Sequence, residues 1–536
     1  MRIRIFSASR DSTLNKLSIL TGLLIFISPF LHFISKNILE SVFNKTLFLK
    51  FSLFVITTII VSIITSTFII SRFLLHAEFY RLFPIFYAGY IYMFLSIYVR
   101  NLLLILGVPS VVRSFIYAIL VFLLLWVIFR LSKIKGFHLA ALVFALALNA
   151  GPIVQIAYSA VISMDTGSIR SADYRGEWIA QILKKPVNPI DLPNIYFIVP
   201  DSYTSVAVLH DTLSFDDKPF IQEMEKRGFV HLFDSFSSYA RTDLTLASLL
   251  QADYPVTEDS PRYRTDEDFY PSLLYKSYSF QVAKAARHLG YIVSIIDSTL
   301  SGNCGPHVEC DEGQSKFIPD EIQSFLEMTP LPRLLRKIKP SELLNDANNV
   351  DSIARSIRYL SSANRPKSPY FMFIHHLPPH APYVFEADCR VRSNIDLYLL
   401  DGDSSIPLYL DNLQCTNNKL IELSDYISIV DPTALIVIQA DHGIGYSMLR
   451  AAGTHFKDLP ENISRDIIHD RKSVLSLARV PDKCKKWLRL DLNSVNTVRF
   501  LFGCATGVEP LYLENRSYMS FYNDSPDYGL VYEVRQ

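Results

Sequence analysis

Five apolar segments crowd the first third of this chain: Leu17–Ile34, Thr46–Ile70, Leu82–Val99, Ser114–Phe129 and Phe137–Ile162. Each is roughly as long as the ~20 residues a helix needs to cross ~30 Å of hydrocarbon. A cleaved leader would explain only the first, so the pattern predicts a resident membrane domain. Positive residues set its orientation. Arg2, Arg4, Arg10 and Lys16 face one acid, Asp11, ahead of the first segment. With that end cytoplasmic, Arg72, Arg81, Arg130, Lys133 and Lys135 fall inside, while Lys36, Lys45, Arg100 and Arg113 fall outside. An odd number of crossings then delivers everything after residue 163 to the outer side. The resulting division is a membrane domain over 1–163, a juxtamembrane connector over 164–192 and an extracytoplasmic domain over 193–536. The connector carries a short amphipathic stretch near Trp178–Leu183, suited to a bilayer surface or to any protein surface.

Charge and cysteine usage fit this division. Lys plus Arg equals Asp plus Glu at 52 each, so no basic face points to nucleic acid. All six cysteines lie from Cys304 onward, where an oxidising compartment would pair them. The most economical pairs are Cys304 with Cys310, Cys389 with Cys415, and Cys484 with Cys504. Buried free thiols are the alternative, and a Cys304–His307–Cys310 zinc site lacks a fourth ligand nearby.

Beyond Pro193 short apolar runs alternate with amphipathic stretches. Strands are predicted at Ile195–Val199, Tyr291–Ile296, Tyr370–His375 and Leu435–Gln439, with helices at Lys218–Arg227, Thr242–Leu250 and Gln281–Leu289. This pattern predicts an α/β domain with a mostly parallel central sheet covered on both faces. The stretch Ser517–Val534 reads as an edge hairpin around an Asn-Asp-Ser-Pro-Asp turn.

Two of the strands end in acids. Ile195–Val199 runs through Pro200 into Asp201, and Leu435–Gln439 runs through Ala440 into Asp441 and His442. Carboxylates just past buried strands need partners, and strand carboxyl ends are where open α/β sheets hold ligands. Two acids and an imidazole delivered this way suit a divalent cation. Thr242 opens a helical run behind Arg241, where free N–H groups favour an anion. Its hydroxyl is either a nucleophile or simply a helix N-cap. His380 sits among prolines in His375-His376-Leu377-Pro378-Pro379-His380, with Tyr383 close behind, placed to bind an oxyanion or protonate a leaving group. His455 follows in a Gly-containing loop, as a substrate, metal or surface residue.

Taken in order, Pro200-Asp201-Ser202-Tyr203-Thr204-Ser205, the stretch from Tyr239 to Leu250, Pro378 to Phe385, and Ala440-Asp441-His442-Gly443 resemble the sulfatase/alkaline-phosphatase superfamily. The five-span layout resembles that of lipoteichoic-acid synthases and lipid A phosphoethanolamine transferases. The resemblance implies an alkaline-phosphatase-like domain at a bacterial inner membrane. It also implies a metal set of Asp201, Thr242, Asp441 and His442 around one Zn²⁺ or Mn²⁺. Thr242 would be the nucleophile and His380 would face substrate; Tyr383, His455 and Arg241 are further candidates for substrate contact on their positions beside these motifs. The implied reaction carries a phosphate-containing head group from a membrane lipid donor to an envelope glycan or lipid acceptor. A phosphatase or phosphodiesterase using water, and a non-catalytic scaffold that kept the fold, are the alternatives. Two departures stand out. The transferases usually carry Glu where this chain has Asp201, and the Cys/Ser-x-Pro-x-Arg motif of true sulfatases is absent.

Overall fold

The computed structural model describes residues 110–165, 191–259, 281–297, 308–311, 351–362, 369–393, 405–445, 465–520 and 531–534, most of 17–32, and a few single positions elsewhere. The chain divides into two compact units, Met1–Ile169 with Phe317–Ile338, and Arg170–Lys316 with Lys339–Gln536. Of the five apolar segments, Thr46–Ile70 and Leu82–Val99 fall almost wholly outside the described residues, as does the Trp178–Leu183 stretch.

In the first unit, helix α1 spans Ser110–Leu131 and α2 spans Lys135–Asp165. Among the described residues one helix, Gly136–Ala157 within α2, is long and apolar enough to cross a membrane; Leu20–His32 and Phe115–Leu131 are apolar but shorter. The outward side chains are the wrong ones for water: Phe115, Phe122, Leu139, Val143 and Val154 are each more than half exposed. Polar groups turn inward instead. Ser18 Oγ meets His138 Nδ1 at 3.0 Å, Asn149 Nδ2 donates to the Leu24 carbonyl at 2.9 Å, and His32 Nε2 to that of Leu148 at 3.2 Å. Residue 18 lies beside 138 and residue 32 beside 148, so the first helix runs parallel to α2.

The second unit is built on a seven-stranded sheet ordered β2-β7-β6-β1-β5-β3-β4. Its strands are β1 Ile195–Asp201, β2 Val230–His231, β3 Ile292–Asp297, β4 Val308–Asp311, β5 Tyr370–Pro379, β6 Leu435–Gln439 and β7 Ser476–Arg479. Strands β6, β1, β5, β3 and β4 are mutually parallel, while β7 runs against β6 and β2 against β7. β1 is buried along its whole length, as a central parallel strand with helices on both faces must be. Its alternate residues serve two cores. Ile195, Phe197 and Val199 pack with helices α5 (Thr242–Gln251), α6 (Gln281–His288) and α10 (Ser494–Thr506). Tyr196 and Ile198 pack with α3 (Val206–Leu213), α4 (Lys218–Lys226), α7 (Ser352–Ser361) and α8 (Ile406–Val430).

The antiparallel margin of the sheet went unread in the sequence because β2 and β7 are only two and four residues long. The end of the chain does pair with itself, β8 Tyr518–Ser520 against β9 Val531–Glu533, but as a separate two-stranded sheet. Disulfides join Cys389 to Cys415 and Cys484 to Cys504. Cys304 and the side chain of Cys310 lie outside the described residues.

Candidate metal centre

Sheet register brings the two acids together. β1 and β6 are parallel neighbours with Ile198 opposite Ile438, which carries Asp201 to the level of Asp441. Ser202 then turns the chain with φ 61, a left-handed conformation rare for a residue with a Cβ. The turn lets one residue reach both acids: its N–H donates to Asp441 Oδ1 at 2.9 Å and its hydroxyl to Asp201 Oδ1 at 3.0 Å. Tyr409 holds the turn by donating to the Ser202 carbonyl at 2.9 Å.

His442 is oriented through its other ring nitrogen. Nδ1 lies 3.1 Å from the Gly443 carbonyl and 3.2 Å from Ser202 Oγ, so the proton belongs there and the Nε2 lone pair points into the cluster. Around Nε2 stand Thr242 Oγ1 at 2.9 Å, Asp441 Oδ2 at 3.2 Å and Asp201 Oδ1 at 3.9 Å. Gly443 is obligatory behind it: a Cβ there would lie 2.0 Å from the Asp470 carbonyl.

Thr242 is the first residue of α5, and Arg241 ahead of it, with φ −128 and ψ 141, is the N-cap. The capping alternative for Thr242 therefore fails, and its half-buried hydroxyl turns to His442. Thr245 and Ser248 are buried, and their hydroxyls donate to the carbonyls of Tyr239 and Thr245 at 2.9 and 2.7 Å. Among these three hydroxyls only Thr242 reaches the cluster.

The electrostatics call for a cation. Burial and the neighbouring Asp201 carboxylate push Asp441 up to about 6. Burial would raise Asp201 too, but the charge of His380 and the bond and charge of His375, whose Nε2 is 3.6 Å away, hold it below the usual carboxylate range. Burial and the Arg471 charge keep His442 neutral. One atom each from Asp201, Asp441 and His442 lie within 4.8 Å of one another, and Asp441 Oδ2 receives no hydrogen bond of ordinary geometry. A buried carboxylate oxygen 3.2 Å from a fixed imidazole lone pair fits a divalent ion. Oxygen ligands with one nitrogen suit Zn²⁺ or Mn²⁺.

The remaining candidates are placed as follows. A register shift between Pro200 and Asp201 sets Asp201 opposite Pro379, and the His380 N–H donates to the Asp201 carbonyl at 3.2 Å. The His380 ring is exposed beside the cluster, with Nδ1 on the Ala381 carbonyl at 2.6 Å. Tyr383 is buried in the second core, and Arg241 pairs with Asp243 at 2.9 Å. His455 lies outside the described residues. Sequence reading missed Ser202, His375 and Arg471 as site residues. The first two stand within motifs already singled out; Arg471 arrives from helix α9, Arg465–Lys472, with no local signal.

No protein-family model and no curated protein matches the chain. Solved structures similar to it include the C-terminal periplasmic domain of EptC from Escherichia coli, 12% identical over 61% of this chain and 89% of that one, TM-score 0.36. Another is the periplasmic domain of phosphoethanolamine transferase EptC from Campylobacter jejuni, 14% identical over 58% and 88%, TM-score 0.35. A third is phosphonate monoester hydrolase of Agrobacterium radiobacter, 14% identical over 61% and 80%, TM-score 0.37. Similarity this low transfers neither substrate nor activity to the present chain.

Proposed function

We propose that this protein is a membrane-held, metal-dependent transferase. It would move a phosphate-containing head group, of phosphoethanolamine or phosphoglycerol type, from a lipid donor to an envelope glycan or lipid. The observation that carries this reading is the Thr242 hydroxyl, 2.9 Å from His442 Nε2 at the meeting point of Asp201 and Asp441. Asp201, Thr242, Asp441 and His442 would hold one Zn²⁺ or Mn²⁺, which when bound supplies charge neutralisation and a lowered hydroxyl pKa.

The residues of the chain do the rest. Thr242, entering as its alkoxide and leaving as the same alkoxide in the second half, forms through Oγ1 the new bond to phosphorus as the bond to the donor's oxygen breaks, and His380 gives that departing oxygen a proton. In the second half the acceptor hydroxyl returns a proton to His380, attacks phosphorus and releases Thr242. Both halves are displacements at phosphorus, for which positioning and charge stabilisation suffice.

Placement at the outer face of a bacterial inner membrane draws on two features. The disulfides Cys389–Cys415 and Cys484–Cys504 belong to an oxidising compartment. The first helix and α2 are parallel, so if both cross one bilayer, an odd number of crossings lies between them. The three remaining apolar segments would supply that number.

The test is peptide mapping of the full chain after exposure to a head-group donor lipid without acceptor. A phosphodiester adduct on Thr242 is expected. An adduct on another residue, or turnover with no adduct under rapid quench, overturns the assignment. Discharge of the adduct to water in the presence of envelope glycans would make the protein a hydrolase of the same chemistry.

A further inference from the structure

We propose that Asn412 is a positioning residue that holds His380 where it protonates the departing group. This rests on the transferase reading above, in which His380 is the proton donor. Asn412 lies inside α8 and is fully buried. Asparagine is a poor helix former, and an amide is costly to bury without partners. Its side chain reaches three backbone groups of the loop that carries His380. Oδ1 accepts from the Phe385 N–H at 2.9 Å, and Nδ2 is shared between the Pro382 carbonyl at 3.4 Å and the His380 carbonyl at 3.5 Å.

The loop has few donors of its own, because Pro378, Pro379 and Pro382 bring no N–H. The exposed His380 ring takes its direction from the backbone. Nδ1 rests on the Ala381 carbonyl at 2.6 Å, which leaves Nε2 for the departing oxygen. That carbonyl lies between the two that Asn412 grips. From the other side, the His380 N–H donates to the Asp201 carbonyl at 3.2 Å, so the residue is pinned between α8 and the metal set. The far end of the loop is tied separately to the same stretch of α8. Arg392 Nη2 meets Asp411 Oδ2 at 2.7 Å, and Cys389 is bonded to Cys415. Loss of the Asn412 amide therefore frees the His380 end and leaves the rest of the loop anchored.

The test follows adduct formation on Thr242 in a single turnover of the Zn-loaded full chain, without acceptor, from two donors carrying one head group. Phosphatidylethanolamine releases an alkoxide that needs a proton, whereas 4-nitrophenyl phosphoethanolamine releases a nitrophenolate that leaves as the anion. Asn412→Ala is expected to slow the first by ~10²-fold and the second by no more than ~3-fold. Adding Asn412→Ala to His380→Ala should slow the lipid reaction no further, as for residues that act through one group. Asn412→Ser keeps a shorter donor and should restore part of the lipid rate. It carries the test if the Ala variant loses its cooperative melt. Equal slowing with both donors, slowing with neither, or a further loss in the double variant would each overturn the proposal and leave the transferase reading standing. If the wild type forms no adduct from either donor, the transferase reading fails and this inference with it.

Discussion

Asp201 and Tyr203 leave the end of β1 two residues apart and enter buried polar groups of opposite character. Tyr203, Asp217 and Asn417 close on themselves: the tyrosine hydroxyl meets Asp217 Oδ2 at 2.8 Å and also Asn417 Oδ1, and Asn417 Nδ2 donates to Asp217 Oδ1 at 2.8 Å. Each polar atom of that ring has a protein partner. The Asp201 group does not close. Two carboxylates face one neutral imidazole, a carboxylate oxygen lacks an ordinary donor, and the hydroxyl among them is half-buried. Since buried polar groups are costly unless paired, the closed group is completed by a proton held within it, whereas the open one needs a ligand.

Substitutions can break that contrast, the largest effect first. Thr242→Ala should lower turnover by more than ~10³-fold, since the other hydroxyl at the cluster, that of Ser202, is buried and donates to Asp201 Oδ1. Stability should hardly move, because Arg241 rather than Thr242 is the N-cap. Thr242→Ser should keep part of the activity; full activity in the Ala variant would return Thr242 to a local role. Asp441→Ala should take bound Zn or Mn from one per chain to near none by elemental analysis, with a cooperative melt preserved. Undiminished metal would remove Asp441 from the ligand set. Gly443→Ala acts on the frame, because its methyl would lie 2.0 Å from the Asp470 carbonyl. We expect a loss of more than ~3 kcal/mol in denaturant unfolding, and a melt like wild type would show that the loop yields.

Much of the centre was legible because its parts sit at strand ends. Asp201, Asp441 and His442 each follow a run of buried strand length, and parallel strands bring their carboxyl ends to one edge. The short strands β2 and β7 were not legible, since two to four residues carry no period. Arg471 was hidden for a different reason. Its role depends on where α9 places it relative to Ala240 and Gly443, and that placement is tertiary. His375 and His376 are adjacent in sequence, yet strand alternation separates them. His375 turns to Asp201, while His376 lies among Asp351, Lys419 and Arg355, where burial pulls it down to about 3.

The smallest expected effect sharpens the comparison from the closed side. Burial pushes Asp217 up to about 6, and the bonds from Tyr203 and Asn417 only partly offset that. The ring explains why a proton is welcome. With Asp217 ionised, the single Tyr203 proton serves either Asp217 or Asn417 Oδ1, and the other pair is left as two acceptors. With Asp217 protonated, its O–H donates to the Tyr203 oxygen and the Tyr203 O–H to Asn417. Because the folded pKa lies above the unfolded value of 3.8, the folded state binds the proton more tightly. That stability is fully present below pH ~3.8 and is lost as pH rises through about 6. At 1.36 kcal/mol per unit the loss by neutral pH is at most ~3 kcal/mol. Asp217→Asn reproduces the protonated ring, since the amide N–H₂ donates to Tyr203 and the amide oxygen accepts from Asn417. The variant should therefore match wild type near pH 4 and exceed it by ~1–3 kcal/mol at pH 7. Taking the difference between the two proteins at each pH cancels the titration of Asp441 and the other groups they share. A variant less stable than wild type at pH 7 would show that Asp217 is held ionised, and that the second group is as unfinished as the first.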